Sequence, residues 1–167
     1  MSKLYTLILA LMLAASATRA QDAPVHGVPR LNLGVGLSDW GVPVYVGLDF
    51  PVGHGFALGG ELSFSNYRDR WNNYYYHHNI MGISGNINYH FNRILNIPER
   101  FDFYAGLNLG YYIWSSPIDY PGDHVSGLGL GAQIGGRYYF SNRVGINLEI
   151  GGGNAFSGGK LGLTFKL

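Results

Sequence analysis

The sequence predicts an all-β fold: an eight-stranded antiparallel up-and-down transmembrane β-barrel. Three observations predict it. Apolar residues recur with a period of two in eight segments, and no segment sustains the 3.6-residue period of a helix. Glycine (26 of 167 residues) and tyrosine (13) are abundant, without the Gly-X-Y repeat of collagen or the proline content of a disordered chain. Within the alternating segments the glycines gather on the polar face. The chain has no cysteine, so no disulfide staples it and its stability must come from the fold.

The N-terminus reads as an export signal. Lys3 supplies the positive end, and Leu4 to Ala17 is an apolar run too short to span a bilayer as a stable helix. Thr18-Arg19-Ala20 places small residues where a signal peptidase reads them, so cleavage is expected after Ala20, with Ala15-Ser16-Ala17 as a second option. The expected division is 1–20 signal peptide, 21–30 short leader and 31–167 barrel. Losing Lys3 and Arg19 takes the basic residues from 11 to 9 against 10 acids, so no basic surplus exists to bind nucleic acid. No later run of apolar residues is long enough for a transmembrane helix.

The segments follow in order. The first, 31–38, carries Leu31, Leu33, Val35 and Leu37 on one face. The second, 42–50, carries Val44, Val46, Leu48 and Phe50; the third, 56–67, carries Phe56, Leu58, Leu62 and Phe64. The fourth, 80–91, carries Met81, Ile83, Ile87, Tyr89 and Phe91; the fifth, 101–113, carries Phe103, Ala105, Leu107, Leu109 and Tyr111. The sixth, 126–140, carries Leu128, Leu130, Ala132, Ile134 and Tyr138; the seventh, 144–151, carries Val144, Ile146, Leu148 and Ile150. The eighth, 160–167, alternates strictly: Leu161, Leu163, Phe165 and Leu167 oppose Lys160, Gly162, Thr164 and Lys166.

The opposite faces carry charges, amides and glycines, among them Asn32, Gly34, Gly36, Gly47, Asp49, Gly59, Glu61, Asn86, Asn88, Asp102, Gly106, Asn108, Gln133, Arg137, Asn147 and Glu149. A soluble sandwich or lipocalin would turn the apolar face inward; a membrane barrel turns it to lipid and the polar face inward. Glycine separates the two. A water-facing strand surface has no need of glycine, which weakens strands. The interior of an eight-stranded barrel is only wide enough for side chains, and small residues there make room for long polar ones. The membrane barrel is therefore favoured.

Turns at the side of the termini are expected at 51–55, 92–100 and 141–143, with outer loops at 39–41, 68–79, 114–125 and 152–159. Aromatics gather near both ends, as two interfacial girdles should: Phe50, Phe56, Tyr89, Phe91, Phe101, Phe103, Tyr138, Phe140 and Phe165 at one, Trp40, Phe64, Tyr111 and Trp114 at the other.

The last strand adds a more specific signal. Lys160, Gly162, Phe165 and Leu167 fill, in order, the polar, glycine and two apolar places of the terminal insertion signal of bacterial outer-membrane barrels. Leu167 stands where that signal usually has an aromatic. In size, strand count and terminal signal the chain from 21 onward resembles the small eight-stranded outer-membrane barrels, the OmpA/OmpX/OmpW-like group. The resemblance implies a Gram-negative outer-membrane location reached through the periplasm, so that 21–30 is a periplasmic leader. It implies outer-membrane lipid, lipopolysaccharide and the barrel-assembly machinery as partners, and no cofactor.

Three sets of residues invite a functional reading. The inward charges fall into two layers: Asp49, Asp102, Arg137 and Lys166 near the periplasmic end, and Glu61, Glu149 and Lys160 above them, with Gln133 and neighbouring amides. Charges in a narrow lumen must be paired or hydrated, so they predict a polar filling rather than a pore. The second outer loop offers Arg68, Arg70, Trp71, Tyr74, Tyr75 and Tyr76, good contact residues for a surface protein or glycan. The pair His77-His78 is a poor metal site, because neighbours on a strand point opposite ways. His124-Val125-Ser126 resembles part of the His-x-Ser-Asn motif of outer-membrane lipid A deacylases, but Gly127 follows where that family has Asn, and Glu149 is expected to face inward. No catalytic, cofactor or metal site is therefore assigned. The leading expectation is a structural or surface-interaction barrel with a filled polar lumen; the alternative is a small transport barrel or narrow channel for a small or apolar solute.

Overall fold

Alternation becomes a closed wall. The computed structural model describes residues 27–39, 41–71, 74–117, 126–153 and 157–167. Its strands are β1 (Arg30–Ser38), β2 (Val44–Gly53), β3 (Phe56–Trp71), β4 (Tyr74–His90), β5 (Phe101–Ser115), β6 (Gly127–Tyr139), β7 (Val144–Gly153) and β8 (Gly158–Lys166). Each pairs antiparallel with the next, and β8 returns to β1 to close the barrel. No helix occurs among the described residues. The expected signal peptide with its expected cleavage site, residues 21–26 of the expected leader, Trp40, His124 and Val125 lie outside them.

The closing pair runs without a break from Arg30 opposite Lys166 to Ser38 opposite Gly158. Because strand side chains alternate, this one register settles both faces. Leu31, Leu33 and Val35 stand outside with Phe165, Leu163 and Leu161; Arg30, Asn32 and Gly34 stand inside with Lys166, Thr164 and Gly162. Closure leaves neither terminal strand with an unpaired edge along this register.

The surface is the inverse of a water-soluble protein's. Leu62, Ile83, Leu107, Leu130 and Leu148 come from five consecutive strands, and each is more than half exposed. The largest fully buried side chains include Arg30, Asn88, Asp102 and Thr164. An apolar belt around a polar core is the arrangement of a lipid-immersed barrel, and it excludes the lipocalin alternative. Aromatics pack along the belt's lower edge: Phe56 lies edge-on to Tyr89 at 4.9 Å, Tyr89 to Phe91 at 5.3 Å, and Phe101 lies 5.1 Å from Tyr138.

Glycine fills the role its placement implied. The inward rings of Tyr45, Tyr104, Tyr112 and Tyr139 lie against glycines of neighbouring strands. A Cβ on Gly34 would come within 2.9 Å of the Tyr45 ring, and one on Gly145 within 2.9 Å of the Tyr139 ring. At Gly135 it would overlap the Tyr104 ring. The β2–β3 turn uses glycine differently: Gly53, His54 and Gly55 all take positive φ, at 97°, 55° and 85°.

Five expectations need correction. Residues 68–71 and 74–79 are paired strand rather than irregular loop, because β3 runs to Trp71 and β4 starts at Tyr74, with pairing continuous from Arg68 opposite His77 to Trp71 opposite Tyr74. The apolar signal stops where the wall leaves lipid, but the β-favouring tyrosines carry the strands on. Trp114 faces inward rather than joining the outer girdle, since it alternates with outward Ile113. Gly152, Gly153, Gly158 and Gly159, expected in the outer loop 152–159, are strand residues. Arg30 belongs to β1, not to a leader, and its side chain is buried. The inner turn at 51–55 is shorter than expected, because β2 continues to Gly53.

Candidate functional site: the polar lumen

The lumen is built in three tiers. The lower one, at the end of the barrel holding the chain termini, centres on Arg137 of β6. Its Nη2 donates to Asp49 Oδ2 on β2 at 2.5 Å, and its Nη1 donates to Asp102 Oδ2 on β5 at 3.0 Å. His90 Nδ1 meets the other oxygen of Asp102 at 2.6 Å, and Arg30 Nε lies 4.0 Å from Asp102 Oδ2. Asn32 Nδ2 donates to Asp49 Oδ2 at 2.8 Å. The Arg137 guanidinium also lies over the Tyr104 ring, 4.4 Å from its centroid. One cation from β6 thus ties together strands on opposite walls.

The middle tier is a chain of amides. Asn108 Nδ2 donates to Gln133 Oε1, Gln133 Nε2 to Asn88 Oδ1, and Asn88 Nδ2 to Asn86 Oδ1, at 2.8, 2.8 and 2.9 Å. Gln133 and Asn88 each both donate and accept along the chain, so the hydrogen bonds polarise one another in a low-dielectric setting. The upper tier centres on Lys160 of β8. Its Nζ lies 2.7 and 2.9 Å from the two Glu61 oxygens and 3.1 Å from Glu149 Oε1. Two carboxylates sharing one ammonium leave an excess negative charge, and a hydroxyl meets it: Tyr104 donates to Glu149 Oε2 at 2.8 Å. The Tyr45 ring lies 5.3 Å from Lys160 Nζ.

Two cavities in the lumen, among the described residues, are small. One cavity of about 10 Å³ lies between the lower and upper charges, lined by Asn32, Asp49, Glu61 and Arg137 among others. A second of about 30 Å³ lies under Pro43 and Tyr112. These volumes suit one or two waters and fall far below the roughly 300 Å³ of a small ligand pocket. Towards the outer mouth, Tyr67, His78 and Trp114 form a triangle of rings with centroids 6.1–6.2 Å apart.

The expected residues are mostly brought together. Asp49, Asp102 and Arg137 share the lower tier, Glu61, Glu149 and Lys160 share the upper, and Gln133 joins the amides. Lys166 is placed otherwise, with Nζ 4.0 Å from the Tyr139 ring centroid at the lower rim; Arg30 takes the second cationic place beside Asp102. Arg30, Tyr45, His90 and Tyr104 were missed. A signal existed: each lies two positions from an assigned inward residue, at Asn32, Gly47, Asn88 and Asp102.

Of the contact candidates, Arg68, Arg70 and Tyr75 share the outward face of the β3–β4 hairpin, whereas Tyr74 and Tyr76 alternate to the other. Trp71 ends β3, and its side chain lies outside the description. His77 is exposed and His78 is fully buried, so the pair is split as its adjacency required. Among the described residues no three His, Cys, Asp or Glu side chains converge on a possible metal position. The deacylase-like Ser126 has its Oγ occupied by the Trp114 backbone N–H at 3.0 Å. Of the residues of the expected insertion signal, Lys160 and Gly162 face the lumen while Phe165 and Leu167 fall on the outward phase.

No protein-family profile and no curated protein matches the sequence. Solved structures do match in shape. The N-terminal β-barrel domain of Pseudomonas aeruginosa OprF aligns at a TM-score of 0.56 and 15% identity, covering 85% of this chain and 98% of that one. Neisserial surface protein A aligns at 0.54 and 14%, covering 83% and 94%. Ail, the attachment invasion locus protein of Yersinia pestis, aligns at 0.51 and 12%, covering 85% and 99%. At these identities the likeness is one of fold: the chain is a small eight-stranded transmembrane barrel.

Proposed function

We propose that this chain is a bacterial outer-membrane barrel of structural or surface-interaction type, exported through the periplasm, without enzymatic activity and closed to solute passage. The observation that carries the reading is the cross-braced lumen. Arg137 ties β6 to β2 and β5, Lys160 ties β8 to β3 and β7, and the amides fill the space between. A barrel plugged at two levels by buried ion pairs offers nothing for a solute to pass through. What remains available to partners is the outer rim, where β3, β4 and β5 reach 15 to 17 residues against 9 or 10 for β1, β2, β7 and β8. About 9–11 residues suffice to cross the hydrocarbon, so the longer wall stands clear of it. The shape shared with a protein described as a surface protein and with another described as an attachment invasion locus protein supports this reading.

Planar-bilayer recording tests it. The purified barrel should insert with little or no conductance. A wide, stable, weakly selective conductance would overturn the plugged reading in favour of a transport barrel.

A further inference from the structure

The two charged tiers are drawn from different strands. The lower uses Asp49, Asp102 and Arg137 of β2, β5 and β6; the upper uses Glu61, Glu149 and Lys160 of β3, β7 and β8. The amides between them do not join them. The side chains of Asn86, Asn88, Asn108 and Gln133 hydrogen-bond to one another, and among the described residues none of the four bonds to a charged group of either tier.

Tyr104 does join them. It stands on β5 in one row with Gly135 of β6 and Glu149 of β7, since Tyr104 pairs with Gly135 and Gly135 with Glu149. Neighbouring strands lie about 4.8 Å apart, so a side chain on β5 reaches β7 only by crossing β6. Gly135 leaves the way open: a Cβ there would overlap both the ring and the hydroxyl of Tyr104. Across that gap the hydroxyl donates to Glu149 Oε2 at 2.8 Å, while Lys160 Nζ holds Glu149 Oε1 at 3.1 Å. Two residues along β6 from Gly135, Arg137 Cζ lies 4.4 Å from the centroid of the same ring. That is inside the roughly 6 Å over which a ring face attracts a cation. One side chain, 2% exposed, therefore touches both the cation that holds the lower tier and a carboxylate of the upper.

We propose that Tyr104 is a latch that makes the two charged tiers one cooperative unit. A change in the charge around Arg137 moves the guanidinium over the ring, and the hydroxyl passes that shift to Glu149 and so to Lys160. A hydrogen bond to a charged acceptor is stronger than one between neutral groups, and in a low-dielectric lumen linked groups polarise one another. Coupling of this kind is reciprocal, so a disturbance at Lys160 is felt at Arg137 by the same factor. The latch rests on the filled-lumen reading above. The competing account is direct charge–charge interaction between the tiers, which needs no hydroxyl.

A double-mutant cycle tests it, on the barrel refolded in micelles and read by its urea unfolding equilibrium. Asp102→Asn disturbs the lower tier and Glu61→Gln the upper, each with little change of shape. The double variant should depart from the product of the two single effects by about fivefold in the unfolding constant. The same cycle in Tyr104→Phe, which keeps the ring beside Arg137 and loses only the hydroxyl, should depart by less than about twofold. Tyr139→Phe is the control. It removes another buried hydroxyl, one with no hydrogen-bond partner among the described residues, and should leave the departure intact. Gly135→Ala fills the space the ring needs and should act as Tyr104→Phe does; it serves if Tyr104→Phe does not refold. Additivity in the wild type would overturn the latch, as would equal loss of the departure in Tyr139→Phe. A departure that survives Tyr104→Phe or Gly135→Ala would overturn it in favour of direct charge interaction. Conductance is recorded on the same preparation. A wide conductance in the wild type sinks the filled-lumen reading, whereas additive cycles in a non-conducting barrel sink the latch alone.

Discussion

Arg137 is the residue on which the lower half of the barrel depends. Its two nitrogens satisfy carboxylates that alternation alone would leave facing each other across a narrow space. Removing one partner of a buried ion pair strands the other, at about 3–5 kcal/mol. Arg137→Ala strands two, Asp49 and Asp102, with Arg30 and His90 left to share Asp102. The expected outcome is a loss of at least that size, read as a lower urea midpoint for the barrel refolded in micelles. An unchanged midpoint would mean the tier is water-filled, with its charges solvated one by one. The sequence makes the membership of this tier legible, because Asp49, Asp102 and Arg137 fall on the polar phase of their strands. It does not make the partners legible. Arg137 and Asp49 lie 88 positions apart on strands that are not neighbours, and only barrel closure brings them together. The second cation shows the same limit: Lys166 and Arg30 face each other across the β1–β8 seam, and packing over Tyr139 or beside Asp102 decides their roles.

At the scale of the element, β8 carries the most information. Its alternation states its faces, and these are met by unbroken pairing with β1 on one side and with β7 on the other. Phe165 stands outward opposite Leu31 and Val144. Deleting residues 165–167 removes part of the closing seam, and Phe165→Asp puts a charge on the lipid face. Such a charge costs on the order of 2–4 kcal/mol at mid-membrane for a cation, less for an acid and less near the interface. Energetically the point change alone is modest. A block in assembly by both variants, seen as loss of the unboiled gel form and accumulation of periplasmic aggregate, would therefore show that the strand is read as a signal as well as packed. Normal assembly of both would make the resemblance to the insertion signal accidental. The ends of β3 and β4 were harder to read than β8. Apolar alternation reports where a strand faces lipid, and above Phe64 and Met81 it no longer does. Pairing persists there with the Asn66–Asn79 hydrogen bond and the Arg68 guanidinium 4.4 Å from the Tyr75 ring centroid, interactions that leave no period-two hydrophobic trace.

For the whole molecule, the fold is shared and the content is its own. A closed eight-stranded wall is compatible with many roles, so function has to be argued from the lumen and the rim rather than from the barrel. Among the described side chains the lumen holds four inward cations (Arg30, Arg137, Lys160, Lys166) and four carboxylates (Asp49, Glu61, Asp102, Glu149). The rim is uneven, tall from β3 to β5 and low on the opposite side, so the molecule has one projecting end and one end of short turns. Its orientation follows if export leaves the termini on the periplasmic side. Tyr74, at the top of the tall wall and 71% exposed, then faces the outside of the cell, and Leu95, 63% exposed in the turn between β4 and β5, faces the periplasm. Because the chain contains no cysteine, single replacements report without background. Tyr74→Cys should react with a membrane-impermeant maleimide in intact cells, and Leu95→Cys only after the outer membrane is opened. The reverse pattern would invert the barrel and place Arg68 and Arg70 on the periplasmic side. Labelling of both sites in intact cells would mean that the chain does not divide two compartments at all.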